Sequence, residues 1–201
     1  ERKPHVMDVL LHKMNHRKIV DLTHWEKRGE FLEGTGSMIF DREKRIAYCC
    51  RSPRTSEKVL ADFCSRMNFD PLVFDAVDKK GNPIYHTNVM MEVGTQVAVV
   101  CLESLQNDDE REKLVTRLIS TGKIIVEISL EQVEDFAGNM LELKSRNGQP
   151  LMIMSAAARK SLSIEQESIL ATYAKIVSPE LSTIEANGGG SARCMIAEIF
   201  V

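Results

Sequence analysis

The amino-acid sequence has few aromatic residues and no long hydrophobic run. Phe, Trp and Tyr make up only 5% of its 201 residues. No apolar run approaches the ~20 residues that a membrane-spanning helix needs. The first residues, ERKPHVMDVL, also lack the uninterrupted apolar core of a signal peptide. These absences argue against a membrane protein and a secreted protein, and they predict a cytoplasmic one.

The sequence also has no strong excess of one charge. Its 26 Lys and Arg residues nearly balance its 29 Asp and Glu residues, and the formal net charge is -3. Because the basic residues are scattered outside the N-terminal segment, neither a nucleic acid nor an anionic membrane surface is expected as a partner. The remaining composition, 43% hydrophobic and 27% charged, is typical of one globular domain with a sizeable core.

The cysteines are odd in number: Cys49, Cys50, Cys64, Cys101 and Cys194. Three lie inside apolar segments, where reduced thiols pack as small hydrophobic groups, so no disulfide framework is expected. Cys64 lies on the apolar face of a predicted helix and Cys101 in a predicted strand. We therefore expect both to be buried and unreactive.

An internal repeat of about fifty residues predicts the architecture. The first unit has two strands around a charged turn in GSMIFDREKRIAYCC, a helix in SPRTSEKVLADFCSRM and a strand in PLVFDAV. The order returns in NVMMEV, QVAVVCLE, DDEREKLVTRLISTG and KIIVEIS, and again in NMLELK, PLMIMS, SIEQESILATYA and KIVS. The sequence thus predicts an α/β protein of ββαβ units that pack around an axis or in a row.

Four polar residues occupy the same place in successive repeats. Glu33, His86 and Asn139 precede or begin the first strand of a unit at separations of 53 residues, and Cys194 follows 55 residues later. If the units surround an axis, the four side chains converge on it, which would bring together a nucleophile, a general acid/base and an anchor. Coincidental spacing is the alternative.

The chain closes with three glycines, a cysteine and an apolar run, in GGGSARCMIAEIF. The run after Cys194 predicts a strand, which places the thiol at the mouth of a glycine loop. Glycines let the backbone approach a ligand closely and can turn amide groups inward. The alternative is a buried strand cysteine after an ordinary turn.

Four segments, FLEGTGSMIFD, YHTNVMM, FAGNMLEL and GGGSARCM, resemble the guanidino-group modifying enzymes, the amidinotransferase and arginine deiminase superfamily. The strongest likeness is to bacterial amidinotransferase-like citrulline-utilisation hydrolases. The resemblance covers nearly the whole chain. It implies a pentein-type α/β propeller, in which five ββαβ units surround an axial active site.

The resemblance also implies that this chain is incomplete, because such enzymes are longer at the N-terminus. Residues 1–201 would be a single catalytic domain forming the C-terminal two thirds of the propeller. A missing N-terminal segment, or a separate fragment of the same protein, would then be its partner. A chain with about three units would leave an apolar seam uncovered.

The resemblance assigns the catalytic roles to Cys194, His86 and Glu33. A guanidino or ureido carbon is a poor electrophile, so its attack requires a strong nucleophile and a proton for the departing nitrogen. Cys194 would attack and form a covalent thiouronium-type intermediate, and His86 would serve as general acid/base. Glu33 would anchor a substrate N–H or orient His86. A core histidine and a plain loop carboxylate are the alternatives for the latter two.

Five further residues are expected to bind the substrate: Asn88, Asn139, Gly189, Gly190 and Arg193. Asn88 occupies a position where part of the superfamily has Asp, and a neutral amide favours a ureido group such as that of citrulline over arginine. Arg193 could bind a substrate carboxylate or pair with a structural acid. These two roles stay open.

The expected function is hydrolysis of a C–N bond in a small guanidino or ureido compound, with neither metal nor cofactor. His12 and His16, in HKMNH, lack the Glu of a zincin motif and are expected at the surface. The alternatives are an amidinotransferase, which shares the covalent step, and a non-catalytic propeller that only binds a partner. Assembly into a homo-oligomer is also left open.

Overall fold

The structure is a computed structural model, which describes residues 8, 9, 11, 12 and 19–198. The four described residues near the N-terminus are helical, and His12 is exposed, as expected. His16, Ile199 and Phe200 lie outside the described residues.

Three ββαβ units follow one another along the chain, and the order of elements predicted from the repeat is confirmed. Helix α1 (Gly34–Ser37) precedes the first unit, which contains β1 (Ile39–Asp41), β2 (Ile46–Cys50), α2 (Glu57–Met67) and β3 (Asp70–Phe74). The second unit contains β4 (Met91–Val93), β5 (Val97–Val100), α3 (Asp108–Ser120) and β6 (Ile124–Glu127). The third follows α4 (Leu130–Glu134) and contains β7 (Leu141–Lys144), β8 (Pro150–Ile153), α5 (Ala156–Ser161), α6 (Ile164–Tyr173) and β9 (Lys175–Val177). Helix α7 (Ser182–Gly188) comes last. Short 3₁₀ helices span Thr23–Arg28, Thr87–Val89, Leu102–Ser104 and Arg193–Met195.

Each unit has its own three-stranded mixed sheet. The middle strand pairs with the first strand antiparallel and with the third strand parallel, in all three units. The parallel connection is made by the helix, as geometry requires for strands that run the same way. β2 and β5 are buried at every position, which explains their near-continuous apolar sequences.

Each of the second and third units covers the sheet of the unit before it. Helix α3 packs against β6 of its own unit and also against β3. There Arg117 Nη1 lies 2.6 Å from Asp70 Oδ2. Helix α6 likewise packs against β6, and Gln166 Nε2 donates to the Glu127 carbonyl at 2.6 Å. One core cluster therefore draws buried residues from all three units.

The sheet of the third unit has one face that is only partly covered. Leu151 and Ile153 of β8 are half-buried, whereas β2 and β5 have no exposed or half-buried position. In the two earlier units, helix α3 or α6 of the following unit packs against the third strand of the sheet. Among the described residues no following unit supplies such a helix, and a closed ring of units is not seen.

A buried ion pair joins the first two units. Lys123 Nζ lies 2.8 Å from Asp41 Oδ2, and both side chains are almost completely shielded from solvent. The ammonium also donates to the Thr95 carbonyl at 2.9 Å. Asp41 is the last residue of β1 and Lys123 precedes β6, so the pair fixes these strand ends against each other.

The segment after the glycines differs from the predicted strand. Arg193–Met195 is a 3₁₀ helix, and the described residues that follow it form no strand. The backbone N–H groups of Cys194 and Met195 donate to Ser191 and Ala192, three residues earlier, so they are not available to a neighbouring strand. The apolar composition of the run favoured a strand, but local turn hydrogen bonds decide the conformation.

None of the helices in the described part of the chain has the length and apolar character that a membrane crossing requires. The same part holds no cluster of three or more His, Cys, Asp or Glu side chains arranged to bind a metal ion.

Candidate active site

The loop that carries Cys194 is built by the end of helix α7. Gly189 ends the helix at a φ of 66°, a left-handed conformation that glycine adopts without strain, and its N–H donates to the Glu185 carbonyl. Ser191, which is fully buried, donates its hydroxyl to Glu185 Oε1 at 2.6 Å. These bonds fold the chain back on itself and present the Cys194 side chain to solvent.

Gly190 leaves room for the thiol. A side chain at this position would place its Cβ 3.1 Å from the Cys194 Cβ and 3.2 Å from Sγ. The two glycines thus have different local roles, since Gly189 ends a helix while Gly190 lies directly against the sulfur. Their predicted contact with a substrate stays a prediction.

Two carboxamide groups donate to the Cys194 sulfur. Asn139 Nδ2 lies 3.1 Å from Sγ and Asn88 Nδ2 lies 3.5 Å from it. Asn88 belongs to the Thr87–Val89 turn before β4, and Asn139 lies just before β7. Asn139 and Cys194, 55 residues apart, therefore meet as the repeat spacing predicted. Asn88 also reaches the thiol, although it does not occupy the repeat position. Asn88 Oδ1 is buried and has no hydrogen-bond partner among the described residues.

His86 and Glu33 form a second pair, in which Glu33 comes before the first unit and His86 before the second. His86 Nε2 lies 2.8 Å from Glu33 Oε2, and the imidazole is mostly buried while the carboxylate is 45% exposed. A Cβ at Gly36 would lie 2.9 Å from the imidazole, so this glycine allows the ring to pack on the backbone. His86 is followed immediately by the turn that holds Asn88, which ties this pair to the thiol.

Two residues at the site were not found by sequence reasoning. Arg54 Nη1 lies 3.4 Å from Glu33 Oε2, and its guanidinium lies over the Tyr85 ring at 5.1 Å. Tyr85 donates its hydroxyl to the Gly189 carbonyl at 3.5 Å. Burial raises the pKa of Tyr85, and the nearby charge of Cys194 adds to this effect. Tyr85 could have been noticed because it adjoins His86, but no sequence signal marks Arg54.

Arg193 does not share the environment of Cys194. Its side chain is buried and lines a cavity of about 660 Å³ together with Glu92, while Cys194, His86 and Glu33 are not part of that lining. Burial raises the pKa of Glu92 to about 7, and the positive charge of Arg193 opposes this rise. Of the two roles left open for Arg193, this placement favours pairing with a structural acid.

The other four thiols are buried, whereas Cys194 is exposed. Burial raises the pKa of Cys101 to about 11 and also raises the pKa of Cys64. Both thiols therefore stay protonated at neutral pH. They are poor nucleophiles, because only the thiolate form reacts well.

Alkylation of the native protein should follow this difference. We expect iodoacetamide at pH 7.5 (roughly one unit below the pKa of a free thiol) to modify Cys194 before Cys64 or Cys101. Peptide mass mapping over time measures the order. Labelling of Cys64 or Cys101 first, in protein whose circular dichroism is unchanged, would remove the main argument for Cys194 as the reactive thiol.

The chain belongs to the pentein superfamily of guanidino-group modifying enzymes, which its sequence motifs resemble. Within that class, the family model for eukaryotic N,N-dimethylarginine dimethylhydrolases matches residues 1–201, and the chain belongs to that family. No curated protein sequence matched the chain. The finer likeness to citrulline-utilisation hydrolases stays a prediction.

Solved structures share the fold at low sequence identity. The apo arginine dihydrolase ArgZ of cyanobacteria has a TM-score of 0.63 and 19% identity, over 81% of this chain and 24% of ArgZ. The N-terminal domain of ArgZ, solved with a covalently bound reaction intermediate, has a TM-score of 0.62 and 19% identity, over 81% of this chain and 54% of that domain. SxtG, an amidinotransferase from Microseira wollei, has a TM-score of 0.55 and 9% identity, over 83% of this chain and 45% of SxtG. The chain spans about a quarter of ArgZ and about half of its N-terminal domain.

Proposed function

We propose that the protein hydrolyses a C–N bond in a small guanidino or ureido compound, with Cys194 as the nucleophile. The proposal rests on the exposed Cys194 thiol, which accepts hydrogen bonds from the side chains of Asn88 and Asn139. His86 directly precedes the turn that holds Asn88, and its imidazole pairs with the Glu33 carboxylate. Membership of a dimethylarginine dimethylhydrolase family supports the same reaction class.

The proposed reaction has two halves that share one carbon atom. The Cys194 thiolate adds to the guanidino or ureido carbon and forms a C–S bond. The C–N bond then breaks, and protonated His86 gives its proton to the departing nitrogen. Neutral His86 next takes a proton from water, whose oxygen adds to the same carbon. Cleavage of the C–S bond returns the thiolate and leaves His86 protonated.

The remaining polar groups have roles in holding the substrate and the imidazole. Glu33 orients His86 through their hydrogen bond and leaves its second oxygen for a substrate N–H. Asn88 Oδ1 is a buried acceptor with no partner among the residues that the structure describes, and such a group would be stabilised by an N–H donor from a ligand. The amide is neutral, so it fits a ureido group as well as a guanidinium. Gly189 and Gly190 would line the substrate with backbone only.

The half-exposed guanidinium of Arg54 is the cation next to Glu33, at the mouth of the site. We propose it as the group that binds a substrate carboxylate, since a guanidinium recognises carboxylates by paired hydrogen bonds. The buried position of Arg193 makes it the poorer candidate for that contact. A substrate of the amino-acid type fits this arrangement.

The test is a substrate panel with the full-length protein, comprising N,N-dimethylarginine, arginine and citrulline in ¹⁸O-labelled water. Hydrolysis of a guanidino substrate would place the label in a ureido product and release an amine or ammonia. The same assay with an added acceptor amine tests the amidinotransferase alternative, which would give an unlabelled amidino-amine. Absence of turnover with all three compounds, together with failure of chloroacetamidine to modify Cys194, would favour a non-catalytic binding protein.

A further inference from the structure

The carboxamide of Asn139 is held entirely by protein atoms. Nδ2 donates to the Asn88 carbonyl at 2.9 Å and to Cys194 Sγ at 3.1 Å. Oδ1 accepts the backbone N–H of Arg193 at 3.1 Å. Because an asparagine side chain has only two N–H groups, none remains to donate to a substrate. The side chain is also almost completely buried.

We infer that Asn139 is a positioning residue for Cys194 rather than a substrate contact, an inference that rests on the proposed function. Its oxygen fixes the backbone just before the nucleophile, and its nitrogen fixes the sulfur itself. Oδ1 and Nδ2 of this one planar carboxamide thus hold both the loop before Cys194 and the Cys194 side chain in place. This differs from the substrate-binding role that its place in the repeat predicted.

The backbone around Asn139 is itself clamped. A Cβ at Gly138 would lie 2.3 Å from the Val89 carbonyl oxygen and 2.8 Å from the Met90 Cα, so the third unit touches the turn of the second unit with bare backbone. The Asn139 N–H donates to the Phe136 carbonyl at 2.9 Å. The carboxamide therefore has little freedom to move away from the sulfur.

The chemical consequence is that N–H donors favour the anionic form of sulfur over the neutral thiol. The thiolate is required for attack, and it is regenerated when the C–S bond breaks. Asn139 is the closer of the two donors, at 3.1 Å against 3.5 Å for Asn88. We therefore expect Asn139 to affect the reactivity of Cys194 more than Asn88 does.

Asn139→Asp tests the inference with little change of shape. The new carboxylate can still accept the Arg193 N–H, but it removes the donor to sulfur and adds a negative charge next to it. We expect the alkylation rate of Cys194 in the full-length protein to fall about tenfold at neutral pH and to recover at high pH, because a like charge disfavours the thiolate. The midpoint of the rate against pH should rise by about one unit. Asn88→Asp should give a smaller rise.

Asn147→Asp is the matched control, because it makes the same charge change in an exposed turn between β7 and β8. It should leave the pH profile of alkylation unchanged. If Asn139→Asp does not fold, Asn139→Ala replaces it as the test of the inference. This variant should raise the midpoint of the Cys194 alkylation rate by a few tenths of a pH unit.

The inference is overturned if a folded Asn139 variant has the same alkylation profile as Asn147→Asp. A rate that falls equally at every pH would also overturn it, because that result means altered access to the thiol rather than loss of the donor. The alkylation profile needs no turnover, so the inference can fail while hydrolysis is observed. It can also hold if no substrate in the panel is hydrolysed.

Discussion

Cys194→Ser is expected to lower kcat for the proposed substrate about 10³-fold or more. A serine hydroxyl is far less ionised than a thiol at neutral pH, so the site would have to remove its proton before attack. The free energy of unfolding should change by less than about 0.5 kcal/mol, since the side chain is exposed and the change is small. Steady-state kinetics and chemical denaturation of the full-length protein measure the two quantities.

Cys64→Ala is the control for this variant, because it removes a buried thiol distant in sequence from the site. It should retain kcat while losing some stability through the small cavity that it creates. A Cys194→Ser protein with more than about a tenth of the wild-type kcat would contradict covalent catalysis by this residue.

The second large effect is expected from the buried ion pair between Asp41 and Lys123. Asp41→Asn should lower the free energy of unfolding by about 3–5 kcal/mol, because the Lys123 ammonium would keep its burial and lose its counter-charge. The Thr95 carbonyl would be its remaining partner. Equilibrium denaturation with urea measures the loss as a lower midpoint at an unchanged slope.

Glu131→Gln provides the comparison at the surface, because the Glu131 and Lys79 side chains pair at 3.1 Å while 66% and 47% exposed. It should cost between about 0 and 1 kcal/mol. The double variant Asp41→Asn with Lys123→Met should recover part of the loss, since it removes the uncompensated charge. A cost below about 1 kcal/mol for Asp41→Asn alone would show that water or a shift of the chain compensates the ammonium.

The sequence predicts the repeating architecture well because the relevant information is local. Each strand and helix has its own hydrophobic pattern, and the turn residues separate the elements clearly. Repetition then adds information that a single segment does not contain, since equivalent positions of similar units face the same region. That argument predicts that Asn139 and Cys194 lie together, and their contact confirms this part of it.

What the sequence could not provide are the partners of individual atoms. The segment around Cys194 has the composition of a strand, but its 3₁₀ conformation depends on where Asn139 and Ser191 offer acceptors. The burial of Arg193 likewise depends on a cavity formed by several distant segments. Arg54 was missed because its position over Tyr85 is set by tertiary packing.

The sharing of helices between neighbouring units has a consequence for unfolding. Because α3 and α6 each cover part of the preceding unit as well as their own strand, neither the second nor the third unit can lose its helix without exposing apolar surface in its neighbour. A repeated sequence usually invites treatment as separable modules. Here the interfaces are shared so extensively that the three units should melt in one transition, and removing one of them would leave a fragment with an unprotected core rather than a shorter stable protein.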